Sequence, residues 1–467
     1  MAYDLIIHNA LLVDETGAWR GAVAALGGRI AALFAGDPDG PADETLDAGG
    51  LPVLPGLIDA HVHFNDPGRA DWEGFEAGSM SAAAGGITTV LDMPLNNRPA
   101  VVDGPTLAAK RDALAGRSVV DYALWGGLVE GRASTLAAQD AAGAVAYKAF
   151  MSASGIEDFP AVSDGTLLDG LRHAARSGRL VGVHAESEAL TAHFAARLRA
   201  AGRTDRRAWL DARPPLAELD AIARALRLAR EARARLHIVH VSTAEGVDLV
   251  EAARRAASVP AQTGGQPVSC ETCPHYLTLD DNDFVALGPD AKCAPPLRPR
   301  ATVEALWQRV LDGAVDLIAS DHSPCPTADK RRGDADIWAA WGGISGVQLL
   351  LPLLLTEGVY RRGLTLPQLV RLTSAAPARL FGLQGKGALR PGADADFTLI
   401  DPDAEWTVEP SRLFSRHTHT PYAGRRLRGR VLATVVRGRV VFRDGAIIAA
   451  PGWGRLLTGW QGDGVTG

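Results

Sequence analysis

A parallel (β/α)8 barrel bracketed by a small β-domain from the two chain ends is expected for this 467-residue α/β chain, on three observations. Short, doubly apolar strand candidates alternate with longer Ala/Leu/Arg segments of helical period through the middle of the chain. Eight such strands can be counted, the number a closed barrel needs. Both ends carry instead short β-rich runs cut by Gly and Asp turns.

At the N-terminal end, Leu5-Ile6-Ile7, Ala10-Leu11-Leu12-Val13 and, after Gly27-Gly28, Arg29-Ile30-Ala31-Ala32-Leu33 read as strands. The predicted barrel strands follow at Gly56–His63, Ile87–Met93, Val119–Trp125, Ala144–Phe150, Leu180–His184, Leu236–Val241, Pro267–Glu271 and Asp316–Asp321. Gly85-Gly86 is a tight entry into the second of them, not a phosphate cradle, because no Gly-Lys-Ser/Thr follows. Past the barrel, Asp396–Ile400, Ala433–Val436 and Arg439–Phe442 read as strands between Asp-Pro, Arg-Gly and Asp-Gly turns. The domain boundaries are therefore expected at 1–54 with 390–467 for the small domain and 55–389 for the barrel.

With 47% hydrophobic and 22% charged residues, the composition is that of a soluble globular enzyme. A net charge of -6 gives no electrostatic reason to expect nucleic acid or an anionic membrane as partner. The apolar run Leu349–Leu355 is far short of the ~20 residues a bilayer demands and reads as a buried helix. Met1-Ala2-Tyr3-Asp4 has no secretory character, and four cysteines in so long a chain fit a reducing compartment, so a cytoplasmic location is expected. The arginines between Arg224 and Arg235 have helical spacing and suit a solvated face.

Polar residues interrupt the apolar strands at or near their C-terminal ends, where barrel active sites gather. They are His61 and His63, Lys148, His184, His240 and Asp321. His61-Val62-His63 puts two imidazoles on one face of a strand, able to bind one ion together or to pack as satisfied core histidines. With His184 and His240 added, three or four imidazoles on one rim suit Zn, Fe, Co or Mn. Lys148, in Ala144-Val145-Ala146-Tyr147-Lys148-Ala149-Phe150, sits where desolvation disfavours an ammonium. A neutral amine, a carbamate formed with carbon dioxide, or an ion pair to a carboxylate such as Asp321 would each answer that. Asp321 can ligate and move protons, or cap the following loop. Cys270-x-x-Cys273 with His275 has no second Cys/His pair at zinc-ribbon spacing; Cys270 is expected to pack, and Cys273, His275 and Tyr276 to begin a loop at the mouth.

Together these positions resemble the amidohydrolase superfamily and, within it, the cyclic amidases: dihydroorotases, hydantoinases and allantoinases. The resemblance runs through Pro55–His63, Gly85–Thr89, Val183–Glu186, His237–Ser242, Glu271–Tyr276, Ser320–Pro324 and Gly387–Asp396. It implies a distorted barrel flanked by a β-sandwich from both chain ends, a homotetramer, and two divalent cations, zinc foremost. His61, His63, Lys148 as N6-carboxylysine, His184, His240 and Asp321 would hold them, with Asp321 as the catalytic acid and base.

Pro67–Phe75, Asp92–Asn96, Trp341–Gln348 and Pro421–Arg425 are similar to the allantoinase branch. Dihydroorotases carry an arginine where this chain has Asn65, and hydantoinases a tyrosine where it has Ala153. The resemblance thus implies hydrolysis of a neutral small-molecule heterocycle, allantoin, to allantoate. Asn65, Arg69, Asn96, Ser154 and Cys293 are its expected substrate contacts. A hydantoinase or dihydropyrimidinase, a dihydroorotase, or a silent assembly homologue are the alternatives.

Overall fold

The structure is a computed structural model and describes residues 2–36, 38, 40–257 and 268–458. All eight barrel strands form, at Leu57–Val62, Ile87–Asp92, Asp121–Leu124, Ala146–Phe150, Leu180–His184, Arg235–Ile238, Val268–Thr272 and Leu317–Ile318. Pro267, the expected start of the seventh, lies outside the described residues. Every residue of the first five strands is buried, as strands sealed on both faces must be.

The barrel is distorted at two seams. The third strand breaks at Trp125; Asp121–Leu124 pairs with the second strand, and Gly126–Gly127 beyond the break pairs with the fourth. The Trp125 indole donates to Ala60 O at 3.1 Å, which draws that side chain to the first strand. The eighth strand is only two residues long because the chain leaves the sheet after Ile318. It closes on the first strand through Ser320 N to Asp59 Oδ1 at 3.0 Å and His63 N to His322 O at 2.8 Å.

The helices follow their sequence cues. Asp164–Ser177 starts where Ser163 Oγ accepts Thr166 N and ends at a left-handed Gly178. Pro215–Ala232 buries Ala221, Ile222, Ala225 and Ala229 while Arg227 and Arg230 stay exposed, as the arginine spacing requires. Leu350–Leu354 is a buried helix that continues into a π-turn over Leu355–Tyr360. Gly86 enters the second strand at φ 82°, and a Cβ there would lie 2.5 Å from Thr398 Cγ2, so both backbone and space require glycine. No helix among the described residues is long and apolar enough to cross a membrane.

Both chain ends share one nine-stranded sheet. Its order is Ala446–Ile447, Arg439–Arg443, Arg426–Val436, Phe397–Thr407, Pro52–Pro55, Tyr3–Asp14, Gly17–Leu26 and Arg29–Phe34, with Ala42–Asp47 also on Tyr3–Asp14. Pro52–Pro55 joins the halves, parallel to Tyr3–Asp14 and antiparallel to Phe397–Thr407. One apolar core, including Leu5, Ile7, Leu12, Phe397, Ala433 and Val435, draws on both ends. The final described segment returns to the barrel, where Leu457 N donates to Tyr122 O at 2.7 Å.

Barrel and sheet are pinned by a buried ionic cluster. Lys386 Nζ lies 2.6 Å from Asp121 Oδ2, 3.0 Å from Asp394 Oδ2 and 2.7 Å from Asp396 Oδ2. These three aspartates are near enough together to hold a cation. The lysine ammonium already supplies that charge, so the cluster is structural.

Candidate metal centre

The six expected ligands converge on the C-terminal mouth of the barrel. His61 lies on the first strand and His63 one residue past it. Lys148 is in the middle of the fourth strand and His184 ends the fifth. His240 and Asp321 were expected on strands but stand beyond them, at φ 41° and 47°. The left-handed backbone turns each side chain back toward the mouth, at a cost in strain that the packed surroundings hold in place.

His61 Nε2 and His63 Nε2 lie 3.3 and 3.4 Å from Asp321 Oδ1, the three groups close enough to share one ion. Beside them, His184 Nδ1 and His240 Nε2 face each other at 3.1 Å. Lys148 Nζ, His61 Nε2 and His240 Nδ1 are buried without a hydrogen-bond partner. No ion pair of Lys148 with Asp321 occurs among the described residues, so that alternative is not realised. Burial, with the nearby Lys148 charge, keeps His61, His184 and His240 below the ordinary histidine pKa, leaving neutral rings with free lone pairs. Burial also opposes charge on Asp321, yet His61, His63 and His240 hold its carboxyl well below the usual range. Converging lone pairs, one carboxylate and unpartnered nitrogens fit divalent cations.

A second layer, not singled out from sequence, orients these rings. Glu271 Oε1 accepts from His61 Nδ1 at 2.5 Å and its Oε2 from His237 Nε2 at 3.0 Å. Glu186 Oε2 accepts from His184 Nε2 at 2.8 Å and from the Arg213 guanidinium. Burial alone would raise both carboxyls, but those cationic and ring partners bring each down to about 2. The tautomers follow: the proton sits on His61 Nδ1 and His184 Nε2, and the opposite nitrogens are left as ligands. A carboxylate in a strand or just past a histidine was the available signal. Glu271→Gln is expected to weaken metal binding roughly 10–100-fold with the fold intact. Competition with a chelator checks this, and unchanged affinity would deny Glu271 that role.

The site opens into a cavity of about 550 Å³. Arg69, Asn96, Ser154 and Cys293 line it. Asn65 is not among the lining residues; it is buried, with Nδ2 donating to Pro324 O at 3.2 Å. Asn96 holds its amide 3.4 Å from His63 Nδ1, behind the ligand. The Ser154 hydroxyl lies 2.6 Å from Phe159 O, and Cys293 O accepts the Trp209 indole at 2.8 Å. Cys270 is buried in the seventh strand, and Cys273 precedes a short helix, Pro274–Thr278, where a loop was expected. All four cysteines are unpaired.

Residues 53–441 match the amidohydrolase family. Over 96% of both chains the sequence is 49% identical to a protein of Rubrobacter xylanophilus named allantoinase. An allantoinase of Solibacter usitatus is 46% identical over 97% of this chain and 96% of its own. Among solved structures, the L-hydantoinase (dihydropyrimidinase) of Arthrobacter aurescens superposes with a TM-score of 0.94 at 37% identity, covering 98% of this chain and all of that one.

Proposed function

The chain belongs to the amidohydrolase family, and on that footing we propose that it hydrolyses allantoin, adding water across one amide of the hydantoin ring to give allantoate. The observation that carries this reading is the end-to-end similarity to proteins named allantoinase, higher than that to the hydantoinase. Ala153 in place of the hydantoinase tyrosine and Asn65 in place of the dihydroorotase arginine point the same way.

In this reading His61, His63 and Asp321 would hold one divalent cation and His184 and His240 another, and Lys148, as a carbamate, would add its oxygens to the same site. Two such ions, zinc foremost, supply a nucleophilic water at neutral pH and polarise the scissile carbonyl. Asp321 Oδ1 takes the proton released as the water oxygen bonds to the ring carbon. It passes that proton to the ring nitrogen as the carbon–nitrogen bond breaks, leaving a carboxylate and a free amide nitrogen. Arg69 and Asn96 border the substrate, with Ser154 and Cys293 on the same wall. Assembly as a homotetramer and a cytoplasmic location complete the proposal; four unpaired thiols suit a reducing compartment.

The test is a panel of allantoin, hydantoin, dihydrouracil and dihydroorotate on enzyme carrying two ions per chain by elemental analysis. Allantoin is expected to lead in kcat/KM by roughly 100-fold, the scale on which a site with matched polar groups rejects analogues lacking their partners. A better rate with hydantoin or dihydroorotate overturns the substrate assignment, and one ion or none per chain after supplementation overturns the binuclear site.

A further inference from the structure

We propose that Arg69, packed against the Trp72–Trp341 pair, is the specificity residue that receives the neutral urea arm of the substrate. This rests on the reading of the ring-opening site above and extends it to the part of the substrate that does not react.

Three arginines line the cavity. Arg213 is paired with Glu186, and Arg332 with Asp329 at 3.2 Å. Arg69 has no carboxylate partner among the described residues; the one side-chain hydrogen bond it makes there runs from Nη1 to Asn96 O at 3.1 Å. Its Cζ lies 4.6 Å from the Trp72 ring centre and 5.9 Å from that of Trp341, the two indoles packed edge to face at 4.7 Å. The guanidinium thus rests within cation–π distance of aromatic surface, with most of its five N–H donors unbound by other side chains or carbonyls. The Trp341 indole N–H, on the same wall, is buried and also lacks a partner. The buried indole N–H calls for an acceptor on the ligand, and the guanidinium beside it offers further donors to the same group.

The wall is rigid where it needs to be. Lys330 Nζ donates to Trp341 O at 3.0 Å and Gly343 O at 2.5 Å, and Lys292 Nζ to Ile337 O and Ala340 O at 2.8 and 2.6 Å. A Cβ on Gly343 would lie 2.3 Å from Ser323 O, so this segment seats closely on the loop after Asp321. Arg69 stands one residue outward from the ligands, through Asn96 to His63. A ring whose amide reaches the ions therefore presents its substituent, not its reacting carbonyl, to Arg69.

A carboxylate arm would also suit a guanidinium, but the local field opposes it. Burial and the Arg98 charge lower the Arg69 pKa against the pull of Asp158, Asp71 and Asp329. A further anion would meet those three carboxylates, whereas a planar, uncharged urea offers its carbonyl to the free N–H groups and its face to the indoles.

The experiment compares kcat/KM for allantoin, hydantoin and hydantoin-5-acetic acid in wild-type enzyme, Arg69→Met and Arg69→Lys, each matched for metal content. The allantoin-to-hydantoin ratio is expected to fall at least ~30-fold in Arg69→Met, the scale of a lost charge-assisted hydrogen bond. Arg69→Lys is expected to recover only part, since an ammonium lacks the planar fork. A ratio within about threefold of wild type, or an equal loss on hydantoin-5-acetic acid, overturns the proposal. If Arg69→Met does not fold, Arg69→Lys alone is judged by the same ratio, a threefold fall being the threshold. Wild-type enzyme that turns over hydantoin but not allantoin defeats the substrate reading instead, before any variant is compared.

Discussion

Lys148→Ala loses bound metal and activity together, kcat falling at least ~1000-fold, the scale on which removing one member of a jointly acting catalytic set costs most of the rate. The amine is fully buried in the fourth strand and has no hydrogen-bond partner. Burial pushes its pKa down to about 8, against the pull of Asp321 and Glu271, so a neutral nucleophilic fraction exists at neutral pH. The Phe150 ring centre lies 5.1 Å from it and offers no lone pair. Addition of its nitrogen to the carbon of carbon dioxide, with loss of one amine proton to water, would form a carbamate that offers two oxygens to a cation where the amine now has no partner. Alanine leaves room there, so propionate or acetate is expected to restore part of both metal content and turnover. Lys148→Arg is not rescued, because the guanidinium stays charged and fills the space. An alanine variant retaining two ions and near-normal turnover would sink the carbamate bridge, as would intact mass showing an unmodified amine in the active enzyme.

Asp321→Asn lowers kcat by roughly 100- to 10,000-fold, the range for losing a positioned acid–base group, with a smaller change in KM. The amide keeps the volume and one oxygen between His61 and His63, but it neither takes nor returns a proton. Metal analysis separates this from ligand loss: at least one ion is expected to remain. A variant within tenfold of wild-type kcat would remove Asp321 from proton transfer.

The strands and the gathering of His61, His63, Lys148, His184, His240 and Asp321 at one mouth were legible in the sequence because both rest on local rules. Alternation puts His61 and His63 on one face, and an isolated lysine in an apolar strand announces itself. The support for those ligands was not legible. Glu271 serves His61 from 210 residues away, and nothing in either segment states that distance. The left-handed turns at His240 and Asp321 were hidden for another reason: Asp and His enter that backbone more often than most non-glycine residues, yet few do, and what selects these two is the folded barrel. Asn65 shows the converse error. Its position after the histidines invited a substrate role, while barrel closure turned its amide onto Pro324. Lys292 and Lys330 were recognisable as rare residues, but not as the clamps of a segment whose carbonyls they reach only in the folded barrel.

The strand Pro52–Pro55 also bears on how the chain is born. In the order of synthesis its neighbour Tyr3–Asp14 comes before it, whereas its other neighbour, Phe397–Thr407, emerges roughly 340 residues later. At ~5–20 residues per second the half-built sheet must wait roughly 20–70 s with one flank open. An unpaired flank recruits other chains, and nascent copies on one messenger are close at hand. Both ends of this four-residue strand are proline, and because amides point to alternate sides along a strand, each flank lacks one donor, the open one included. The late strand then docks in register, Phe397 on Pro55 and Leu399 on Val53, accepting a partner already poor in donors. A missing donor that weakens the finished ladder also makes the waiting flank a poorer template for other chains, so the seam between the chain ends answers to the order of synthesis as well as to the stability of the final fold.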